Sequence, residues 1–325
     1  MKYFSLDKLF SLVFGLVVFW FFAFLYPFHL NYQEQYQMFL FSVDYFRSFF
    51  AKPGGISDYT GNFFTQFYFY SWVGAIIIAV SLVLLQRAVW FISRKLEAKS
   101  VFFPLSAIPS LMYWGLLCDE NYLLGGLIAL LWVAGFITTY SILKSAKIRM
   151  LFVWISIPVL FWMAGGAFLL LLLFAFVYEI LKRESKIAEL SVWFVISAIL
   201  SYAIPTLCKS LFLQYPLREV WIGTNYFRFP VNIPISVGII VVSVVVIPFA
   251  LYYLSKFIRK DNSKTLIAGQ LIVIVLGGYF LISHSADMSK EEVMAYDFNC
   301  RMRRWDQIIA MADKKTPTTP LSVTC

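Results

Sequence analysis

LFSLVFGLVVFWFFAFLYPFHLNYQEQYQMF, residues 9–39, is the stretch that decides the fold. Residues 9–28 hold no charged side chain, and about 20 apolar residues are what an α-helix needs to cross a hydrocarbon layer roughly 30 Å thick. Polarity returns at once in HLNYQEQYQ, so a span ends there and a loop begins. No small-residue cleavage signature follows Trp20, and the run reads as a retained anchor rather than a signal peptide. Comparable runs lie at 71–92, 101–117, 122–143, 150–163, 167–181, 190–208, 234–255 and 265–283. With 61% hydrophobic and 14% charged residues over 325 positions, the chain has too little polar surface to be an ordinary soluble domain. The expectation is an all-α polytopic membrane bundle of about nine transmembrane helices in residues 1–283, followed by a tail over 284–325. The run 150–181 is read as two short crossings or a re-entrant hairpin turning at Ala164, Gly165 and Gly166, rather than one long kinked helix, because a single span would put the Lys182 cluster on the other side.

A net charge of +9 suggests nucleic acid until the basic residues are placed. They gather in alternate loops: Lys2 and Lys8; Arg87, Arg94, Lys95 and Lys99; Lys144, Lys147 and Arg149; Lys182, Arg183 and Lys186; Lys256, Arg259, Lys260 and Lys264. By the positive-inside rule that side is the cytoplasm. The reading is a multi-pass protein of the cytoplasmic (inner) membrane, with the lipid bilayer as its partner and no nucleic acid. Its N-terminus is cytoplasmic and its C-terminus external.

Polar residues kept at the membrane edge mark candidate sites. In the external loop 29–70, Tyr32, Tyr36, Phe39, Val43, Phe46 and Phe50 recur at helical spacing, and Pro53, Gly54 and Gly55 break that pattern. A second stripe of Ile56, Tyr59, Phe63, Phe67 and Tyr70 follows, which predicts two interfacial helices. The competing reading is an aromatic belt that only anchors the loop. Glu34 stands among these aromatics, and Asp119 with Glu120 occupies a short external turn. If they converge, they supply a general base for an acceptor hydroxyl or oxygen ligands for a divalent cation; otherwise the pair is a solvated turn. His29, Glu34 and Asp119 are the candidate metal ligands.

The external loop 209–233 sets Arg218 and Arg228 beside Trp221 and Tyr226, a combination suited to gripping a phosphate while rings cover a sugar or an isoprenoid tail. Glu179 is read as snorkelling towards Lys182 and Lys186. The cysteines Cys118, Cys208, Cys300 and Cys325 form no metal pattern, and a Cys118–Cys208 bond is open but unforced. HExxH, GxSxG, P-loop, GxGxxG, DxD and CxxC patterns are absent from the sequence. In the tail, Val293, Tyr296 and Cys300 are expected to share one helical face, with Trp305, Ile308, Ile309 and Ala312 on another. RRWDQIIAMADKKTPTTP is similar to a tetratricopeptide-like helix with its proline turn, the start of repeats through which a protein partner could be bound.

With these residues in place, the layout resembles the GT-C superfamily of membrane glycosyltransferases. HLNYQEQYQMFLFSVDYF and KPGGISDYTGNFFTQFYFY are also similar to a bacterial family with a GT-C-like membrane part and a repeat-containing external tail. The resemblance implies transfer of a sugar from a polyprenyl-phosphate donor on the external face. It places acidic residues after the first span and between the third and fourth, where this chain has Glu34 and the pair Asp119 and Glu120. Many members have aspartate in the first loop, which brings Asp44 in as a further catalytic candidate. Two other function classes compete: a transporter or flippase, and a non-catalytic scaffold carrying an external repeat domain.

Overall fold

The computed structural model describes residues 6–182, 186–229, 233–257, 263–314 and 319–325. Lys2, Arg183, Arg259, Lys260 and the expected break at Thr316 and Pro317 lie outside them. The described residues are helical, with no strand among them. In chain order the helices are α1 (Leu6–Trp20), prolonged by a π-helical turn Phe21–Leu25, α2 (Pro27–Gln35), α3 (Val43–Phe50), α4 (Gly55–Thr65) and α5 (Ser71–Lys95). A 3-10 stretch Ser100–Ala107 then leads into α6 (Ile108–Leu116), and α7 (Leu124–Ile142), α8 (Ala146–Ala164) and α9 (Leu169–Lys182) follow. The remainder are α10 (Ile187–Leu211), α11 (Leu217–Ile222), α12 (Ile235–Phe257), α13 (Ser263–Ser285), α14 (Met288–Arg301), α15 (Trp305–Lys314) and α16 (Pro320–Thr324).

Seven helical stretches among the described residues are long and apolar enough to cross a membrane, and Ser100–Leu116 is a shorter apolar one. One of the seven, Ala146–Lys182, is not a single rod. Arg149 Nε lies 2.5 Å from Glu179 Oε1, whereas residues that far apart on a straight helix would be about 45 Å apart. The chain folds back at Gly165, whose φ of +57° and ψ of −145° end α8, so α8 and α9 lie side by side as the sequence pattern of Ala164, Gly165 and Gly166 predicts. Glu179 is therefore not snorkelling. Its carboxylate is buried against Arg149, which also donates to the carbonyls of Leu143 and Lys144 and so closes the α7–α8 turn.

α5 and α7 form the buried centre, with Ala75, Leu82, Leu127 and Val133 fully enclosed. α10 and α13 stay at the rim and expose Val192, Ile199, Val273 and Leu276, as helices against lipid should. The loop 29–70 departs from the expected single helix over Tyr32 to Phe50. α2 stops at Gln35, and α3 starts afresh from Ser42, whose extended backbone and side-chain oxygen cap the Tyr45 N–H. Phe39 then turns in on Tyr59 and Phe63 of α4.

Candidate functional site

Four segments meet at one end of the bundle: the start of α4, the turn before α7, the α8–α9 turn and the loop 212–229. Gly54, with φ +70°, lets the first loop turn here, and its N–H donates to the Trp162 carbonyl at 2.9 Å. A Cβ on Gly54 would lie 2.5 Å from the Thr224 nitrogen, so only glycine permits this approach. Arg228 N donates to the Asn121 carbonyl and Leu123 N to the Tyr226 carbonyl, which fasten the loop to the turn before α7.

Asp58, in the first turn of α4, is 5% exposed and lies at the centre of this junction. Its carboxylate accepts from Lys52 Nζ at 2.6 Å and from the Asn225 backbone N–H at 3.0 Å. Burial holds the carboxyl above its ordinary range, against the pull of the Lys52 charge and the two hydrogen bonds. Two adjoining cavities of about 400 Å³ each share Lys52, Tyr215 and Asn225 in their walls. The first is lined also by Arg218, Thr224 and Tyr226, and the second by Asp58, Asn62, Gln37, Tyr36 and Arg228. Buried polar atoms with no protein partner, Thr224 Oγ1 and Gln37 Oε1, belong to residues of these walls.

Arg218, Tyr226 and Arg228 are thus brought to one cleft. Arg218 is exposed, while the Arg228 guanidinium sits 4.0 Å above the Tyr36 ring and donates to the Tyr32 hydroxyl at 3.4 Å. Trp221 lines neither cavity. It packs near the Tyr202 ring, with its carbonyl under Gly166.

The acidic candidates from the sequence lie elsewhere. Asp44 is exposed and faces Arg47 at 3.6 Å, and Asp119 is exposed and caps the Asn121 N–H at 2.9 Å, as a solvated turn does. Glu120 pairs with Lys290 of the tail at 2.7 Å. Glu34 is half-buried on α2; burial raises its pKa, and Arg301 of the tail opposes that rise. α2 and the 119–122 turn do meet, but through the Gln33 amide on the Tyr122 carbonyl and the Tyr36 hydroxyl on the Glu120 carbonyl. Neither cavity described above is lined by Glu34, Asp44, Asp119 or Glu120.

The metal reading of His29, Glu34 and Asp119 is not supported by their placement, because the described residues bring no three His, Cys, Asp or Glu side chains into a ligating group. His29 is fully buried 4.9 Å from the Tyr26 ring, and burial pushes its pKa down to about 4, so it is a neutral packing residue. All four cysteines are free. The tail turns Tyr296 inward from α14 together with Glu291, Met294, Ala295 and Phe298, while Val293 and Cys300 are half-buried. Phe298 meets Phe28 of α2, so the tail is a lid on that helix.

No curated protein and no solved structure matches the chain. A model of one protein family, described as a family of unknown function, DUF6057, matches residues 2–325 and with them every segment of the cleft and the lid, and the chain belongs to that family.

Proposed function

We propose that the protein crosses the membrane nine times and is a GT-C-like transferase of the external face, taking a sugar from a polyprenyl-phosphate donor at the cleft around Lys52 and Asp58. The observation that carries this reading is Lys52, paired with the buried Asp58 carboxylate, in the shared wall of two adjoining cavities, one lined also by Arg218 and the other by Arg228, at the end of an apolar bundle. Guanidinium groups grip phosphate oxygens by paired charge-assisted bonds, and Lys52 adds a point charge beside them. Asp58 replaces Glu34 as the base. It would take the proton of the acceptor hydroxyl as that oxygen bonds to the anomeric carbon, while the bond from that carbon to the donor phosphate breaks and polyprenyl phosphate leaves.

In detergent micelles the protein should bind polyprenyl phosphate and not the uncharged polyprenol. Arg218→Ala and Arg228→Ala should each weaken binding by roughly ten- to a hundredfold. Lysine at either position should restore part of the affinity, since it keeps the charge and loses the fork. Equal binding of alcohol and phosphate would remove the transferase reading and leave the transporter and scaffold readings in its place.

Nine crossings follow from counting Ser100–Leu116 as a crossing and α8 and α9 as two, a count that also keeps the Lys and Arg clusters on one side. Single cysteines at Arg47 and Asn225, which are exposed, should react with an impermeant thiol reagent from outside; one at Glu97, also exposed, should react only after permeabilisation. Ser57 and Ala98 are fully buried and would report packing instead of sidedness. Labelling of Glu97→Cys in intact cells would invert or break the topology.

A further inference from the structure

Glu291 of α14 is 6% exposed. Its two carboxylate oxygens accept the backbone N–H groups of Phe28 at 2.6 Å and His29 at 2.9 Å. These are the first free amides of α2, whose N1 position is Pro27, so a side chain from the C-terminal tail caps that helix. The titratable groups facing it do not neutralise it. From α2 comes His29, held neutral; Tyr26, ahead of α2, and Cys118, at the end of α6, are kept protonated by burial. On α14 itself Lys290 is turned to Glu120, and Asp287 caps the helix by accepting from Ser289 and Lys290 N–H. α2 in turn carries Tyr32 and is capped at its C-terminal end by Tyr36, and these two hold Arg228 in the wall of the cleft.

We propose that the tail is a proton-tightened latch: α14 docks on the α2 N-terminus through Glu291, most firmly when that carboxyl is protonated, and its release frees the Tyr36–Arg228 wall of the cleft. Burial without a paired cation pushes Glu291 up from 4.5 to about 7 in the docked tail. A freed tail would return the group to its ordinary range. The docked form therefore holds the proton more tightly than the free one. Docking is at full strength below the free value and weakens as pH rises through about 7, by on the order of a hundredfold in the docking equilibrium. The neutral acid keeps its carbonyl oxygen as an acceptor for one α2 amide and no longer buries a charge.

The test is amide hydrogen exchange of the whole protein in micelles from about pH 5 to about pH 9, corrected for intrinsic rates. Protection of α14 amides should fall by tens- to a hundredfold across that range while α7 amides hold theirs. Glu291→Gln, which keeps the shape and an acceptor without the charge, should leave α14 protected at every pH. α14 protection that does not change with pH in the unmodified protein overturns the latch, as does an unaltered pH dependence in Glu291→Gln. The series on the unmodified protein decides the matter even if that variant does not fold. Only the consequence for the cleft rests on the proposed ligand. Exchange that follows pH while polyprenyl-phosphate affinity does not would retain the latch and detach it from the site.

Discussion

Glu179→Ala should destabilise the bundle by about 3–5 kcal/mol, the range observed when one partner of a buried ion pair is removed and the other is left uncompensated. Arg149 and Glu179 are 1% and 0% exposed, and their contact is bidentate, Nε to Oε1 at 2.5 Å and Nη2 to Oε2 at 3.1 Å. The Tyr140 hydroxyl adds a third bond to the same carboxylate at 2.7 Å, so α7, α8 and α9 are tied at one point. Removing Glu179 takes the bidentate carboxylate from a guanidinium that is 1% exposed and so reaches little solvent, and the α8–α9 pair is the part that should open first. Thermal unfolding in detergent measures the loss. The double change Arg149→Met with Glu179→Met should recover much of the stability, because well-packed apolar residues commonly replace a buried pair at little or no net cost. An unaltered unfolding temperature in Glu179→Ala would mean that the pair is wet or loosely made. At the surface pair Asp44 and Arg47, by contrast, Asp44→Ala should produce no measurable change.

The contrast between those two pairs shows what was legible in the sequence. Periodicity and hydropathy located the apolar helices, seven of them long enough to cross a membrane, and Gly165 with Gly166 marked the fold-back, because apolar length and glycine act locally. Arg149 read as one more loop cation and Glu179 as a snorkelling end, since nothing in either neighbourhood says that residues 30 apart in number will meet. Asp58 went unnoticed for a related reason. An acidic residue in the first turn after Pro53, Gly54 and Gly55 looks like a favourable charge near a helix N-terminus, and only the long-range return of Asn225 and the local fold of Lys52 make it the centre of a cleft. Glu34 drew attention by standing alone among aromatics, yet its surroundings are completed by Arg301, far along the chain. Arg218 and Arg228, singled out by residue type alone, do line the two adjoining cavities.

Gly165→Ala should be as damaging as the loss of Glu179, although it adds a single methyl group. The backbone there is at φ +57° and ψ −145°, a region that costs a residue with a side chain of order 1–3 kcal/mol. Space is the second obstacle. The added Cβ would lie 2.2 Å from the Ile222 carbonyl oxygen and 2.8 Å from the Thr224 nitrogen, both backbone atoms that cannot rotate away. Either the α8–α9 turn or the 212–229 loop must move, and that loop carries Arg218, Thr224 and Asn225 into the cleft. A combined loss of about 3–5 kcal/mol in stability is expected, with polyprenyl-phosphate affinity falling further than in Arg218→Ala, because several wall residues shift together. Gly135→Ala is the matched control: a Cβ there meets nothing within 4 Å, and alanine inside α7 should be neutral or slightly stabilising. Both variants are read by thermal unfolding and by lipid binding in the same micelles. Should Gly165→Ala unfold at the same temperature as Gly135→Ala and bind the phosphate lipid as well, the loop would not depend on this contact, and the cleft could not be the rigid junction of α4, α8 and residues 212–229 that phosphate recognition requires.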